Sequence, residues 1–204
     1  NERGRTLFKT PYSQFLRFET DFTKTWNITP TSSLVGHLSG GILYNYGNSS
    51  EAPYSEYFYV GGANTIRAFG VREIGPGDFN GDGLGRQLCY LIQNGELKLV
   101  GNLEYRTKLF GDLNGAIFLD AGNVWDLNND FIDGAAFPTS VKSFIDQTAL
   151  GTGVGIRYDM GFLVIRLDWG LALHCPYDTG KSGYFNVPSF SKAHTLHFAI
   201  GYPF

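Results

Sequence analysis

The sequence predicts an all-β protein, an antiparallel transmembrane β-barrel of which about seven strands are present, and three observations predict it. Apolar and polar residues alternate with a period of two through seven separate segments, the pattern of strands with one apolar face. The segments run roughly nine to fourteen residues, and about ten suffice for a tilted strand to cross the hydrocarbon layer. The connections alternate in length, with short turns at Asn27, Phe110 and Asp159 and long loops after Tyr46, Trp125 and Leu173. Outer-membrane barrels show that alternation, short on the periplasmic side and long outside. Composition agrees: 27 Gly, 17 Phe and 12 Tyr, with 17% charged residues and one Met among 204, suit strands and turns.

The same numbers exclude other classes. A net charge of −3 without a basic tract gives no footprint for nucleic acid. The sequence shows neither a signal peptide nor an apolar run of about eighteen residues, which leaves strands as the membrane-crossing elements.

Along the chain, Phe15 to Trp26 sets Leu16, Phe18, Thr20 and Phe22 against Arg17, Glu19, Asp21 and Thr23. After the turn NITPTS, Leu34 to Tyr46 places Leu38, Ile42 and Tyr44 opposite His37, Ser39 and Asn45, so these two segments form a hairpin. Glu96 to Leu109 alternates most cleanly, with Leu97, Leu99, Leu103 and Tyr105 opposing Lys98, Asn102, Glu104 and Arg106. Gly115 to Trp125 opposes Ile117, Leu119, Ala121 and Trp125 to Phe118, Asp120 and Gly122. Leu150 to Tyr158 carries Thr152, Val154, Ile156 and Tyr158 on one face, with three glycines and Arg157 on the other. Phe162 to Leu173 sets Leu163, Ile165, Leu167, Trp169 and Leu171 against Arg166, Asp168 and Gly170. The last segment, TLHFAIGYPF, opposes Leu196, Phe198, Ile200, Tyr202 and Phe204 to His197, Ala199 and Gly201. Strand parity puts Asn1 to Ser13 outside and Phe204 at the periplasmic rim.

Alternation alone fits a soluble, lipocalin-like barrel with an apolar interior as well. Strand length favours the membrane, as does the placing of Tyr44, Tyr105, Trp125, Tyr158 and Tyr202 near strand ends on the apolar face, where interfacial girdles belong. A membrane sheet must close, and bacterial single-chain barrels have even strand counts. Residues 1–204 therefore read as one part of a larger barrel, with a long loop at 47–94 and external loops at 126–148 and 174–193.

The stretch YFYVGGANTIRAFGVREIGPG, Tyr57 to Gly77, lies in that long loop. Phe58, Ile66, Phe69 and Val71 are residues that bury, and Arg67 stands among them; a buried cation needs an anionic partner.

The segments PYSEYFYVGGANTIRAFGVREIGPG, GELKLVGNLEYRTKL, GAIFLDAGNVW, GTGVGIRYDMGFLVIRLDWG and HFAIGYPF follow one another in an order that resembles the C-terminal half of the barrel in the BamA/TamA superfamily of outer-membrane protein assembly factors, the bacterial surface antigen family. The resemblance covers about Phe15 to Phe204. It implies a sixteen-stranded barrel behind periplasmic POTRA domains, with accessory lipoproteins as partners, unfolded outer-membrane β-barrel proteins as clients and a loop folded back into the lumen. The loop motif of the family, Val/Ile-Arg-Gly-Phe/Tyr, falls on Ile66, Arg67, Ala68 and Phe69, with Ala68 in the glycine position. Either that position needs φ > 0, which strains alanine, or the glycine serves close packing, which alanine tolerates best. The family's lumenal acids fall on Glu104 and Asp120, which alternation already places on the polar face; the plainer reading pairs Glu104 along the wall with Arg106, Lys108 or Arg157.

The resemblance further implies insertion of clients into outer-membrane lipid through a weak seam beside the last strand, at Phe198, Gly201, Pro203 and Phe204, by β-augmentation. Gly201 and Pro203 weaken pairing in either case, and a frayed terminus is the plain alternative. A TamA-like or two-partner secretion pore is the rival within the family, and a passive porin or structural surface antigen the rival outside it. DFNGDG matches the start of a calcium loop at Asp78, Asn80 and Asp82, but Cys89 occupies the position of the bidentate glutamate, so a solvated acidic turn is expected and no metal. Cys89 and Cys175 both fall on the external side, read as unpaired thiols although a disulfide there is permitted. His37, His174, His194 and His197 assemble no catalytic constellation, so neither an enzyme nor a cofactor is expected.

Overall fold

The computed structural model describes residues 6–7, 10–47, 51–81, 86–127, 132, 134–187 and 189–204. Two short strands, β1 (Thr6–Leu7) and β2 (Thr10–Pro11), pair with each other ahead of the main sheet. That sheet is antiparallel throughout and keeps chain order: β3 (Phe15–Thr29), β4 (Ser32–Asn45), β5 (Leu97–Phe110), β6 (Leu113–Trp125), β7 (Ala149–Asp159), β8 (Val164–His174) and β9 (His194–Ile200). The period-two pattern forces this, because a one-residue slip would turn every apolar side chain to the other face. β3 and β9 are the edges and do not pair with each other, so the sheet is not closed.

The faces sort as in a membrane wall. Phe198 is 69% exposed and Leu16 65%, whereas Arg67, Glu104, Asp120, Arg157, Arg166 and Asp168 are all 0% exposed. A soluble barrel with an apolar interior has the reverse arrangement, so the lipocalin-like reading is set aside.

The long connection between β4 and β5 packs onto the polar face. Phe58, Val60, Ile66, Ala68, Phe69 and Ile74 from the loop form one core with Leu43, Val100, Val124, Ala149, Ala172 and Cys175 of the wall or its immediate ends. Phe58 also bridges Gly95 as an isolated antiparallel pair. The connection carries a 3-10 turn at Tyr54–Glu56 and a helix, α1 (Arg86–Ile92); two further short helices, α2 (Val141–Asp146) and α3 (Phe190–Ala193), occupy the other long loops. All are shorter than the window in which helical periodicity shows.

The structure differs from the sequence reading in four places. β3 runs on through the expected NITPTS turn: Asn27 still pairs Ser33 and Thr29 pairs Ser32 across a bulge, leaving only Pro30 and Thr31 to turn the chain. β8 starts at Val164, two residues later than expected. Trp125 does not join an aromatic girdle: it is fully buried, donates Nε1–H to Gln147 Oε1 at 2.9 Å and lies 5.6 Å from the Phe144 ring, because the loop after β6 folds over it. Finally, β9 stops at Ile200. Gly201 takes φ +86°, a left-handed value open to glycine, and Pro203 has no N–H to offer a ladder. Phe204 thus leaves the lipid face on which alternation put it and stacks on His37, centroids 4.8 Å apart and rings 4° from parallel.

Candidate loop latch on the inner wall

Arg67 reaches the wall through a turn that the sequence builds locally. Gly62 N–H donates to the Phe69 carbonyl at 2.8 Å, Phe69 N–H to the Ile66 carbonyl at 3.1 Å, and Thr65 Oγ1 to the Gly61 carbonyl at 2.8 Å, closing the loop tip on itself. Ile66 and Phe69 enter the loop core on either side, so burying them presents Arg67 to the sheet.

Asp120 on β6 takes the arginine as a fork: its Oδ2 accepts from Arg67 Nε at 2.8 Å and its Oδ1 from Nη2 at 2.8 Å. The same Oδ2 accepts the Arg67 backbone N–H at 3.0 Å, so the carboxylate fixes both the side chain and the chain direction. Glu104 on β5 accepts from Arg67 Nη1 and, at the same oxygen, from Arg157 Nη2 at 3.2 Å; its other oxygen accepts from Arg106 Nε at 2.7 Å. The loop contact and the wall pairing therefore coexist at Glu104. The Phe118 ring lies 3.6 Å from the guanidinium carbon of Arg67 and covers its face. Burial alone would lower the Arg67 pKa, but the hydrogen bonds and charges of Asp120 and Glu104 outweigh it and raise the pKa.

Two wall glycines make room for the tip. A Cβ on Gly170 would collide with the Arg67 carbonyl oxygen, and one on Gly151 with the Ala68 Cβ. This settles the question of Ala68. Arg72 is the non-glycine residue at positive φ among the described residues, so Ala68 carries no left-handed backbone. Its methyl group is 3% exposed and sits over Gly151, so the position is one of close packing, where the smallest side chain fits.

The backbone oxygen of Arg67 then ties the tip to the last strand. Thr195 Oγ1 donates to it at 2.6 Å and His197 Nε2 lies 3.0 Å away, which fixes that imidazole nitrogen as the N–H. Sequence reasoning missed both as partners of the loop, along with Asn102, which donates to Asp120 Oδ1 at 2.8 Å and to the Thr65 carbonyl at 2.6 Å. It also passed over Asp168, 2.5 Å from Arg157 Nη1 and 3.9 Å from Arg67 Nη1. Alternation had put His197, Asn102 and Asp168 on the polar face, and only the register between strands could have added that they meet the loop. Among the seam residues, Phe198 lies in β9, whereas Gly201, Pro203 and Phe204 lie beyond it and turn inward. Cys175 is a free, buried thiol, and the Cys89 Sγ donates to the Gly81 carbonyl at 3.4 Å. Of the calcium candidates, Asn80 Nδ2 donates to the Asp178 carbonyl at 3.2 Å, Asp78 has its backbone N–H on the Gly134 carbonyl, and Asp82 lies outside the described residues.

The Omp85 superfamily domain matches residues 7–204. The chain belongs to the Omp85 superfamily. This Omp85 domain is 26% identical over 172 residues to the outer membrane protein assembly factor BamA of Nitratidesulfovibrio vulgaris, a match covering 83% of the chain and 19% of that protein. The chain thus spans about a fifth of the length of that relative. Its fold is similar to that of BamA from Haemophilus ducreyi lacking POTRA domains 1–3, with TM-score 0.60, 14% identity, and coverage of 92% of this chain and 35% of that one. It is also similar to CdiB from Acinetobacter baumannii, with TM-score 0.52, 15% identity, and coverage of 92% and 27%. The Omp85 domain is the C-terminal part of a BamA-type barrel and resides in the bacterial outer membrane.

Proposed function

We propose that this chain is the latched wall of an outer-membrane protein insertase, working by geometry rather than by bond chemistry. The observation that carries the reading is that one residue, Arg67, joins two parts of the barrel. Its guanidinium is held by Asp120 and Glu104 in mid-wall, while its carbonyl is held by Thr195 and His197 on the edge strand β9. Closed, the latch holds β9 against the loop; released, it leaves the edge with only its β8 pairing, free to offer unpaired N–H and C=O groups to an incoming strand. Unfolded β-barrel proteins are the clients, POTRA domains and accessory lipoproteins the partners, and neither ATP nor a cofactor takes part. The name of the Nitratidesulfovibrio vulgaris relative, an outer membrane protein assembly factor, supports this reading.

The test is client insertion into liposomes by the full-length protein carrying Arg67→Ala, together with a disulfide introduced across the β9 seam. Insertion should fall in both, reversibly on reduction for the cross-linked form. Insertion at the unmodified rate in both proteins rejects the latch. Steady, large single-channel conductance with no effect on insertion points instead to a translocation pore or porin.

A further inference from the structure

The ion-pair network where the loop tip meets the inner wall carries more positive than negative charge. Arg67, Arg106, Arg157 and Arg166 form one continuous ion-pair network with Glu104, Asp120 and Asp168, so four guanidiniums share three carboxylates. Arg157 is 0% exposed, yet its Nε finds no acceptor; Arg106 Nη2 is buried and equally without one. Buried guanidinium N–H groups left unmatched are costly, and an excess buried charge more so.

Both arginines line a cavity of about 550 Å³ at the end of the sheet that carries the short turns. Lys108 lines it too, with Ser33, Asn114 and Tyr202, and among the described lining residues none has a carboxylate. The donors come from different strands: the Ser33 hydroxyl from β4, Arg106 and Lys108 from β5, the Asn114 amide from β6 and Arg157 from β7. A planar carboxylate is satisfied by one guanidinium fork. A tetrahedral oxyanion presents oxygens in several directions and matches donors that converge from several strands.

We propose that this cavity is a binding site for a phosphate group, distinct from the loop latch and joined to it through Glu104. The phosphate is either free or the headgroup of a phospholipid entering at the mouth of the barrel; the recognising chemistry is the same. Bound there, it supplies the fourth negative charge that the network lacks.

The experiment is calorimetric titration of the full-length protein in detergent micelles, in a buffer free of other oxyanions, with two probes: inorganic phosphate and short-chain dihexanoyl phosphatidylglycerol below its micelle concentration. Saturable binding of phosphate alone identifies a free anion; binding of the lipid that displaces phosphate identifies a headgroup site. Lys108→Glu and Asn114→Asp place a carboxylate in the mouth without touching the buried pairs, and each should weaken binding about tenfold or more, because a like charge opposes the anion at short range. Protease resistance of the loop should stay unchanged in both, which separates lost binding from lost fold. Absence of saturable binding by either probe, or the same affinity in Lys108→Glu as in the unaltered protein, overturns the proposal.

Discussion

The two edges of the sheet are held in opposite ways. β3 runs fifteen residues, and none of them is buried. Its polar face is fastened by the buried Lys98, paired to Glu19 at 2.5 Å, and by an exposed pair, Arg17 to Glu19 at 2.6 Å with side chains 36% and 29% exposed. An exposed pair contributes on the order of 0–1 kcal/mol. β9 runs only seven residues, half the length, yet its Thr195 and His197 close on the buried carbonyl of Arg67. Strand length therefore does not set how firmly an edge is held. What differs is where each edge meets the loop: β3 touches it at its outer end, where Phe15 packs on the loop core and Arg17 lies 4.5 Å from the Phe58 ring, whereas β9 closes on the carbonyl of the loop tip.

Removing the anchor should erase that contrast. Arg67→Ala leaves Asp120 and Glu104 without their shared cation, and breaking a buried pair costs about 3–5 kcal/mol. Hydrogen exchange in β9 should then rise toward that of β3, and the loop should become protease-sensitive. Gly170→Ala attacks the same contact from the wall side: its Cβ drives into the Arg67 carbonyl, and overpacking of this kind costs about 1–3 kcal/mol. The loop tip should lift, with protection lost in both β9 and residues 60–74. Thr195→Val combined with His197→Phe keeps the guanidinium seated but strands the carbonyl, at about 1–2 kcal/mol. Exchange should quicken in β9 alone, which sharpens the comparison by separating the edge from the loop.

The smallest effect lies away from both edges. Beyond the outer end of β6, burial and then the charge of Glu96 push the Asp126 carboxyl up to about 7 from an ordinary value of 3.8. Glu96 is itself raised by burial, against hydrogen bonds from the Leu127 N–H at 3.0 Å and the Asn45 amide at 2.7 Å. An acid whose folded pKa is raised favours folding at low pH. Its stabilisation is full below about 4, falls as pH rises, and is gone above about 7. Because Asp126 is only part-buried, the difference between pH 5 and pH 8 should be about 1 kcal/mol. Melting curves at the two pH values should converge in Asp126→Asn, while exchange at β3 and β9 stays as it was.

The wall was legible in the sequence because a strand writes its two faces in alternate residues. That is why β5 and β7, whose apolar and polar positions barely mix, fell within a residue or two of their ends. Arg67, Glu104 and Asp120 were legible as a motif and as polar-face positions, and the structure brings them together. Thr195, His197 and Asn102 were not, since their part in the site is fixed by strand register and by the path of a loop that no local pattern encodes. The tail after Ile200 misled for a different reason: GYPF continues the alternation in letters, but a left-handed glycine rotates the last three residues out of the sheet. Trp125 misled because an aromatic residue at a strand end suits an interfacial belt and a cap beneath a loop equally well, and the loop decides.

Because the sheet is antiparallel and holds an odd number of strands, β3 and β9 run in the same direction. Bent round on itself, it would close with a parallel junction. Two copies joined edge to edge about an axis along the barrel would close with two. An antiparallel cylinder requires an odd number of further strands between the edges. The parity of the wall thus keeps its own two edges apart and leaves each of them, β3 and β9 alike, to meet a further strand.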